Sequence, residues 1–430
     1  MIYNVEQCKI LAKNLQVKQA FLFSCLHLSK DISNYKIIKI PKKNGNFRTI
    51  VEPPKEIKII QRKIVDYLRK FQNEKYCAYG FVKAKNNVKN AQLHINKQYV
   101  FKTDLKDFFI SIKAGRIHNM FLAKPFEFCK VDATILTNLL CFQNSLAQGF
   151  PSSPYISNII ARRLDNAMLK LSKKYKCNYS RYADDLIFSS NMDVFSNQFN
   201  CELREIITNE MFIINENKTK LINSKSRQIV TGIIVNKKTN LKREYYRELR
   251  QILYTWKKYG IDKCCEVNNK NEEKLNKYVL GRLAYYKAVV GADNDCYLRL
   301  CDAYNFATNS EHFKVPIKYK LNNARYILKS GNIKPAGNSA SDVLEEFLKI
   351  LCRRNGITKD INNKNIENST IDPLKDILKS KSVITIIQAK EIETLNTIRN
   401  MCNHNKTQTP THQDVEILIA GIDKLIKELN

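Results

Sequence analysis

The chain has 430 residues, 44% of them hydrophobic, and a formal net charge of +31. That length exceeds one ordinary core and predicts two or three domains. The charge points to a polyanionic partner, nucleic acid ahead of an anionic membrane surface. It is also uneven: residues 336–430 hold 13 basic and 13 acidic side chains, so the whole excess lies in residues 1–335. The 13 cysteines include no CxxC pair, and adjacent Cys264 and Cys265 do not make a zinc knuckle, which predicts a reducing, cytoplasmic setting. No apolar run reaches membrane-spanning length, so no membrane partner is expected.

The first segment, MIYNVEQCKILAKNLQ, reads as an amphipathic helix and not as a signal sequence. KIIKIPKKNGNFRTIV, residues 36–51, reads as two strands around a KKNGN turn, with the helix EIKIIQRKIVDYLRKF after it. Lys42, Lys43 and Arg48 give this hairpin a cationic tip suited to a triphosphate or a template backbone. Tyr99 to Leu105 is a β-rich run with Asp104 inside it, and a carboxylate in so apolar a strand is costly unless paired.

Residues 146–169, LAQGFPSSPYISNIIARRLDNAML, open with a Gly/Pro/Ser turn and continue as an amphipathic helix. SRYADDLIFSS, residues 180–190, reads as two short strands with Asp184 and Asp185 at the tight turn between them. Two like charges side by side repel, and a divalent cation relieves that cost. Residues 212–242 read as short strands joined by polar turns. Residues 243–305 read as helices with interleaved aromatics and cations, and the Lys-rich 311–335 as a linker.

Asp104 and the Asp184–Asp185 pair lie 80 residues apart on separate predicted strands. Three carboxylates brought together from two neighbouring strands supply the hard oxygen ligands that two-metal phosphoryl transfer needs. DLKDFF, QGFPSSP and YADD, in that order, resemble the palm motifs of reverse transcriptases. The resemblance covers about residues 1–305 and implies an α+β right-hand fold of fingers, palm and helical thumb. It implies that Asp104 and Asp184 bind two Mg²⁺ ions, with Asp185 supporting them. It places Phe109 under the incoming sugar, rejecting a 2′-hydroxyl, and Arg48 on the triphosphate. Gln148 and Gly149 would pack against the template–nucleotide pair, and Lys218 is a candidate proton donor to pyrophosphate. Ile110 stands where a proline is usual and Ser152 where a threonine is usual.

NAQLH, residues 90–94, and VTG, residues 230–232, resemble two signatures of retron reverse transcriptases. That resemblance implies recognition of a cognate structured non-coding RNA, here through Asn90, His94, Val230, Thr231 and Gly232. It also implies priming from a guanosine 2′-hydroxyl, a DNA product branched from the RNA, deoxynucleoside triphosphate substrates and a role in anti-phage defence. The competing readings are an abortive-infection polymerase working without a template, a non-enzymatic RNA scaffold and a group II intron maturase.

The last 95 residues read as a small all-α bundle. Its final helix, 411–430, has one apolar face (Val415, Leu418, Ile419, Ile422, Leu425, Ile426, Leu429) and a capping box of Thr411 and Asp414. Before it lies RNMCNH. Arg399 and His404 are five residues apart, about 140° around an ideal helix, so they share no helical face and His404 falls at the helix end. The pattern resembles the HEPN superfamily, in many of whose members Arg and His from two protomers form a metal-independent ribonuclease site. It implies a homo-oligomer through this bundle. The expected organisation is fingers and palm at 1–236, thumb at 237–310, linker at 311–335 and HEPN-like domain at 336–430.

Overall fold

The computed structural model describes residues 5–41, 45, 47–309, 312, 315–403 and 409–429. They divide into two compact units, residues 1–245 with 288–290, and residues 246–287 with 291–430.

The first unit is α+β. Helices α1 (Val5–Asn14) and α2 (Gln19–Leu28) lead into the hairpin β1 (Lys36–Pro41) and β2 (Phe47–Glu52), and then into α3 (Lys55–Leu68). The two strands expected here pair as a hairpin, with Ile40 opposite Arg48. Lys42 and Lys43 lie outside the described residues. In α3 the spacing of Ile57, Ile60, Ile64 and Leu68 puts every one of them in the core. Next come α4 (Asn87–Gln92), β3 (Tyr99–Asp104), α5 (Phe108–Ser111), α6 (Ala114–Leu122) and α7 (Lys130–Leu140). The Gly/Pro/Ser turn is followed by two helices, α8 (Ser153–Ile160) and α9 (Arg162–Lys174), separated at Ala161.

β4 (Asn178–Tyr182), β5 (Asp185–Ser190), α10 (Asn197–Asn209), β6 (Lys220–Asn223) and the short β7 (Ile229–Val230) and β8 (Ile233–Ile234) complete the unit. Strands β4-β5-β3-β6, in that order, make one antiparallel sheet, so the strand carrying Asp104 is central. One core of Phe101, Leu186, Phe188 and Phe199 with α3, α6 to α9 fixes the sheet against the helices. A smaller cluster of Tyr35, Val51, Phe142, Ala147 and Phe150 fastens the β1–β2 hairpin to the QGFPSSP loop.

The second unit is all helical: α11 (Arg243–Asn268, interrupted at Gly260), α12 (Glu272–Val290), α13 (Asp295–Thr308), α14 (Ile317–Lys329), α15 (Ile333–Arg354), α16 (Ile371–Ser380), α17 (Ile386–Asn403) and α18 (His412–Leu429). The linker expected at 311–335 is largely absent. Leu321, Ala324 and Leu328 recur at helical spacing and are buried in the same core as α15 and α18; Lys318 and Lys329 of α14 are exposed, and Lys320 pairs with Glu346 of α15 at 2.6 Å. SGNIKPAGNS likewise ends in helix, because Pro335 sits in the first turn of α15, where a missing N–H costs nothing. α11 to α13 fall in the same compact unit as the C-terminal helices.

The final helix buries the predicted face, and Thr411 and Asp414 cap it reciprocally: Asp414 Oδ2 accepts from the Thr411 backbone N–H (2.8 Å) and Thr411 Oγ1 accepts from the Asp414 N–H (3.2 Å). Among the described residues no helix is long and apolar enough to cross a membrane.

The bundle also depends on a close helix crossing. A Cβ on Gly337 would lie 2.3 Å from Cys402 Sγ and 3.3 Å from Val415 Cγ2, whereas one on Gly281 of α12 would meet nothing within 4 Å. Gly337→Ala should therefore cost about 1–3 kcal/mol by overpacking. Gly281→Ala should gain roughly 0.5–1 kcal/mol from helix propensity. Urea denaturation of the two variants checks the opposite signs.

Candidate active site

The three acids meet at one end of the sheet. Asp104 is the last residue of β3 and pairs in register with Asp185, the first residue of β5. The Leu105 N–H donates to the Asp184 carbonyl at 3.0 Å, tying the hairpin tip to the end of the central strand. The connection between β4 and β5 has two residues, Ala183 and Asp184. Ala183 is left-handed at φ 56°, a conformation that favours glycine, and it is buried.

A buried polar network holds that residue in place. Arg181 of β4 and Asp165 of α9 are both 0% exposed and form a bidentate ion pair, Nε to Oδ1 at 2.8 Å and Nη2 to Oδ2 at 2.7 Å. The Tyr179 hydroxyl donates to Asp165 Oδ1 (2.9 Å), and Arg181 Nη1 donates to Asn158 Oδ1 (2.9 Å) and to the Ala183 carbonyl (3.1 Å). Burial alone would pull the Arg181 pKa down, but Asp165 outweighs it and keeps the guanidinium charged. Gly80 completes the clamp, since a Cβ there would come within 2.5 Å of the Ala183 nitrogen. Arg181, Asp165 and Gly80 are absent from the motif reading. Their signal is a carboxylate inside the apolar stripe of α9 and an arginine inside a buried strand, each tolerable only if paired.

The acids themselves are electrostatically frustrated. Burial, then Asp104 and Asp185, push the Asp184 pKa up to about 6, and burial also raises that of Asp185. Asp104 is compensated: its Oδ2 accepts from Lys218 Nζ at 2.9 Å and its Oδ1 from Asn215 Nδ2 at 3.0 Å. Burial pulls the Lys218 pKa down, but the bond to Asp104 and the three nearby acids outweigh it and raise it. Asn215, which also donates its backbone N–H to the Asp104 carbonyl (2.8 Å), is a further residue the motifs do not reveal.

Among the described residues no three His, Cys, Asp or Glu side chains already converge into a metal cluster. The donor set nevertheless fits a hard divalent cation: all-oxygen, buried at Asp104 and half-buried at Asp184 and Asp185, with the Asp184 pKa raised by burial and by its neighbours' charge.

The remaining candidates surround this end of the sheet or lie elsewhere. Arg48 is exposed on β2. Val51 of the same strand donates its N–H to the Gln148 carbonyl at 2.8 Å, and next to it Gly149 has φ 107°. A Cβ on Gly149 would stand 2.5 Å from the Val51 carbonyl oxygen, so only glycine permits this approach. Phe109 on α5 is half-buried, its ring packed against Phe108 and Phe81 with centroids 5.4 and 6.1 Å away.

Helix α4, which carries the first residues of NAQLH, meets the VTG segment, with Thr231 Oγ1 donating to the carbonyl of Asn87 at the start of α4 (3.2 Å) and Thr231–Gly232 forming a left-handed turn. Direct RNA contact is corrected for three of their residues: Asn90, His94 and Val230 are buried, and only Thr231 and Gly232 have accessible surface. His94 instead links Ser189 (2.7 Å) and Ser180 (2.8 Å) of the β4–β5 hairpin, and burial, with Lys97, pushes its pKa down to about 3, so it is neutral. In α17, Arg399 lies 3.8 Å from Glu345 and donates to Asn400 at 3.0 Å. The helix ends at Asn403, and His404 lies outside the described residues.

A central strand ending in one carboxylate, faced by a hairpin bearing two, defines a reverse-transcriptase palm. Residues 40–244 match the family model described as reverse transcriptase (RNA-dependent DNA polymerase). Three curated Escherichia coli proteins are similar to this chain. The retron Ec83 reverse transcriptase is 31% identical over 55% of this chain and 80% of its own length. The Ec86 enzyme is 31% identical over 50% and 68%, and the Ec73 enzyme 37% identical over 46% and 67%. The chain belongs to the retron reverse transcriptases, and its activity is RNA-directed DNA polymerisation.

Two outcomes follow from the geometry. Arg181→Met should cost about 3–5 kcal/mol by stranding the Asp165 charge. Arg181→Met with Asp165→Leu should recover most of that in denaturant melts, yet stay slow in primer extension because the Ala183 carbonyl has lost its donor. Asp184 has a folded pKa above its unfolded value, so its ionisation destabilises the fold as pH rises from about 4 through about 6. In EDTA, Asp184→Asn should therefore be more stable than wild type by roughly 1–3 kcal/mol at pH 7.5, with the difference vanishing below pH 4. Thermal melts across pH check it.

Proposed function

We propose that this enzyme copies a cognate structured non-coding RNA into DNA from deoxynucleoside triphosphates within a retron-like anti-phage defence system. In this reading residues 1–236 serve as fingers and palm and 237–310 as thumb. The observation that carries it is the register of Asp104 against Asp185, with Asp184 on the same hairpin tip.

Asp104, Asp184 and Asp185 would hold two Mg²⁺ ions, which when bound activate the primer hydroxyl and neutralise the leaving pyrophosphate. Lys218, already on Asp104, stands ready to give a proton to pyrophosphate. Arg48 meets the triphosphate from the β1–β2 hairpin. Gln148 and Gly149 hold that hairpin's second strand and support the template–nucleotide pair. Phe109 limits the sugar pocket and favours deoxynucleotides. Thr231 and Gly232 offer the accessible part of the RNA-recognition signatures, and buried Asn90, His94 and Val230 support them. All 13 cysteines are free thiols, which fits the cytoplasm.

The C-terminal helices serve as a HEPN-like ribonuclease effector assembled across a homo-oligomer. Supporting this are RNMCNH at the end of α17, the capped amphipathic α18 after a polar segment, and Arg399 held beside Glu345. Arg399 would stabilise the charged phosphorane and His404 transfer the proton.

The two activities separate experimentally. Asp104→Asn and Asp184→Asn should each lower Mg²⁺-dependent primer extension at least 1,000-fold (about 4 kcal/mol in the barrier) while leaving RNA binding intact. Near wild-type extension would sink the palm assignment. Sequencing the product distinguishes copying of RNA from untemplated addition. His404→Ala should abolish EDTA-resistant RNA cleavage and plaque protection without slowing DNA synthesis. Full protection by His404→Ala would leave the bundle a structural element.

A further inference from the structure

The first unit carries a cavity of about 800 Å³ between α6, the segment around Lys124, the α8–α9 junction and the C-terminal end of α10. Five of its lining residues are cations, Lys113, Arg116, Lys124, Arg162 and Arg163, and Glu210 is the one carboxylate among the described lining residues. Glu210 is already occupied in orienting two of them: its Oε2 lies 3.3 Å from Arg116 Nη2 and its Oε1 3.2 Å from Arg163 Nε. Arg116 also donates to the Glu210 carbonyl at 2.7 Å and lies over the Phe212 ring, 4.7 Å from its centroid. Arg162 donates to the Asn73 carbonyl.

In a chain of net charge +31, a cluster of lysines and arginines is ordinarily a solvated face. Two features argue against that here. The Arg116 side chain is only 16% exposed and is gripped from two directions, whereas a solvated arginine extends into water. The cavity also has an apolar wall of Met120, Phe126, Ile160 and Met211, the last 70% exposed. A bare phosphate-backbone contact needs no such wall, and an apolar ligand needs no ring of cations. The volume is that of a small-ligand site.

We propose that this cavity is a second nucleotide site, apart from the palm carboxylates. It takes a phosphate-bearing nucleotide, with phosphates on Arg116, Arg163, Lys113 and Lys124 and the base against Met120 and Met211. Guanidinium pairs suit phosphate oxygens bidentately, and thioethers suit the flat face of a base. The same chemistry is offered by a free nucleoside triphosphate and by one nucleotide of a bound RNA strand.

The test uses the full chain in EDTA, where the palm acids have no cation and repel a triphosphate. A fluorescent ATP analogue and a labelled five-nucleotide RNA are titrated separately against wild type, Lys124→Glu/Arg163→Glu and Arg48→Ala. Both substituted cavity residues are exposed, and primer-extension turnover within about twofold of wild type confirms that the fold is kept. The double variant should bind at least one ligand 10-fold or more weakly, a change of about 1.4 kcal/mol, with Arg48→Ala unchanged. Loss confined to the ATP analogue assigns the site to free nucleotide, and loss confined to the oligonucleotide assigns it to the RNA path. No saturable binding of either ligand, equal affinity in wild type and double variant, or loss in Arg48→Ala instead, overturns the proposal.

Discussion

The catalytic end of this protein rests on one buried ion pair. Asp165 and Arg181 are fully sequestered, and a pair in that position is tolerable because the two are bidentate and Tyr179, Asn158 and the Ala183 carbonyl supply further hydrogen bonds. The guanidinium does more than neutralise Asp165. By donating to the carbonyl of Ala183 it holds a non-glycine residue in a left-handed conformation, and that conformation turns the chain so that Asp184 and Asp185 face the end of β3. The helix that follows the Gly/Pro/Ser turn, the strand before the acid pair and the acid pair itself are thereby joined as one rigid piece. Precise placement of charged groups is what electrostatic catalysis requires.

Upon that support sits a deliberate instability. Asp184 is held half-protonated near pH 6 by burial and by its neighbours, while Lys218 and Asn215 satisfy Asp104. The folded chain therefore stores unfavourable charge, and any divalent cation bound there would relieve it and stabilise this end of the sheet. His94 is the contrasting case. Neutral and enclosed between two serines, it braces the same hairpin, so the retron signature in which it lies acts on the site from within the core.

The helical second unit follows different physics. Its final 95 residues carry no net charge, and their order comes from apolar stripes and close backbone approach, as at Gly337 against Cys402. Arg399 is drawn to Glu345 across two helices of that bundle. The excess positive charge belongs to the chain before residue 336.

Much of this was legible from local pattern. β-rich runs broken by turn residues located β1 to β5, helical periodicity located α3 and α18, and the motif order identified the three acids as partners across 80 residues. The capping box of Thr411 and Asp414 was readable because both members lie within one helical turn. Tertiary structure alone decided the rest. Ile317–Lys329, within the Lys-rich segment, is helix because three apolar side chains spaced along it found a core, a fact composition does not carry. Asn90, His94 and Val230 lie in the interior: an apolar Val230 belongs there, and His94 is tolerated there because Ser180 and Ser189 flank both ring nitrogens, partners that lie 86 and 95 residues away and that local sequence does not reveal. Arg181 found Asp165 for the same reason: periodicity reports which face a residue takes, whereas the identity of a buried charge's partner depends on which element packs there.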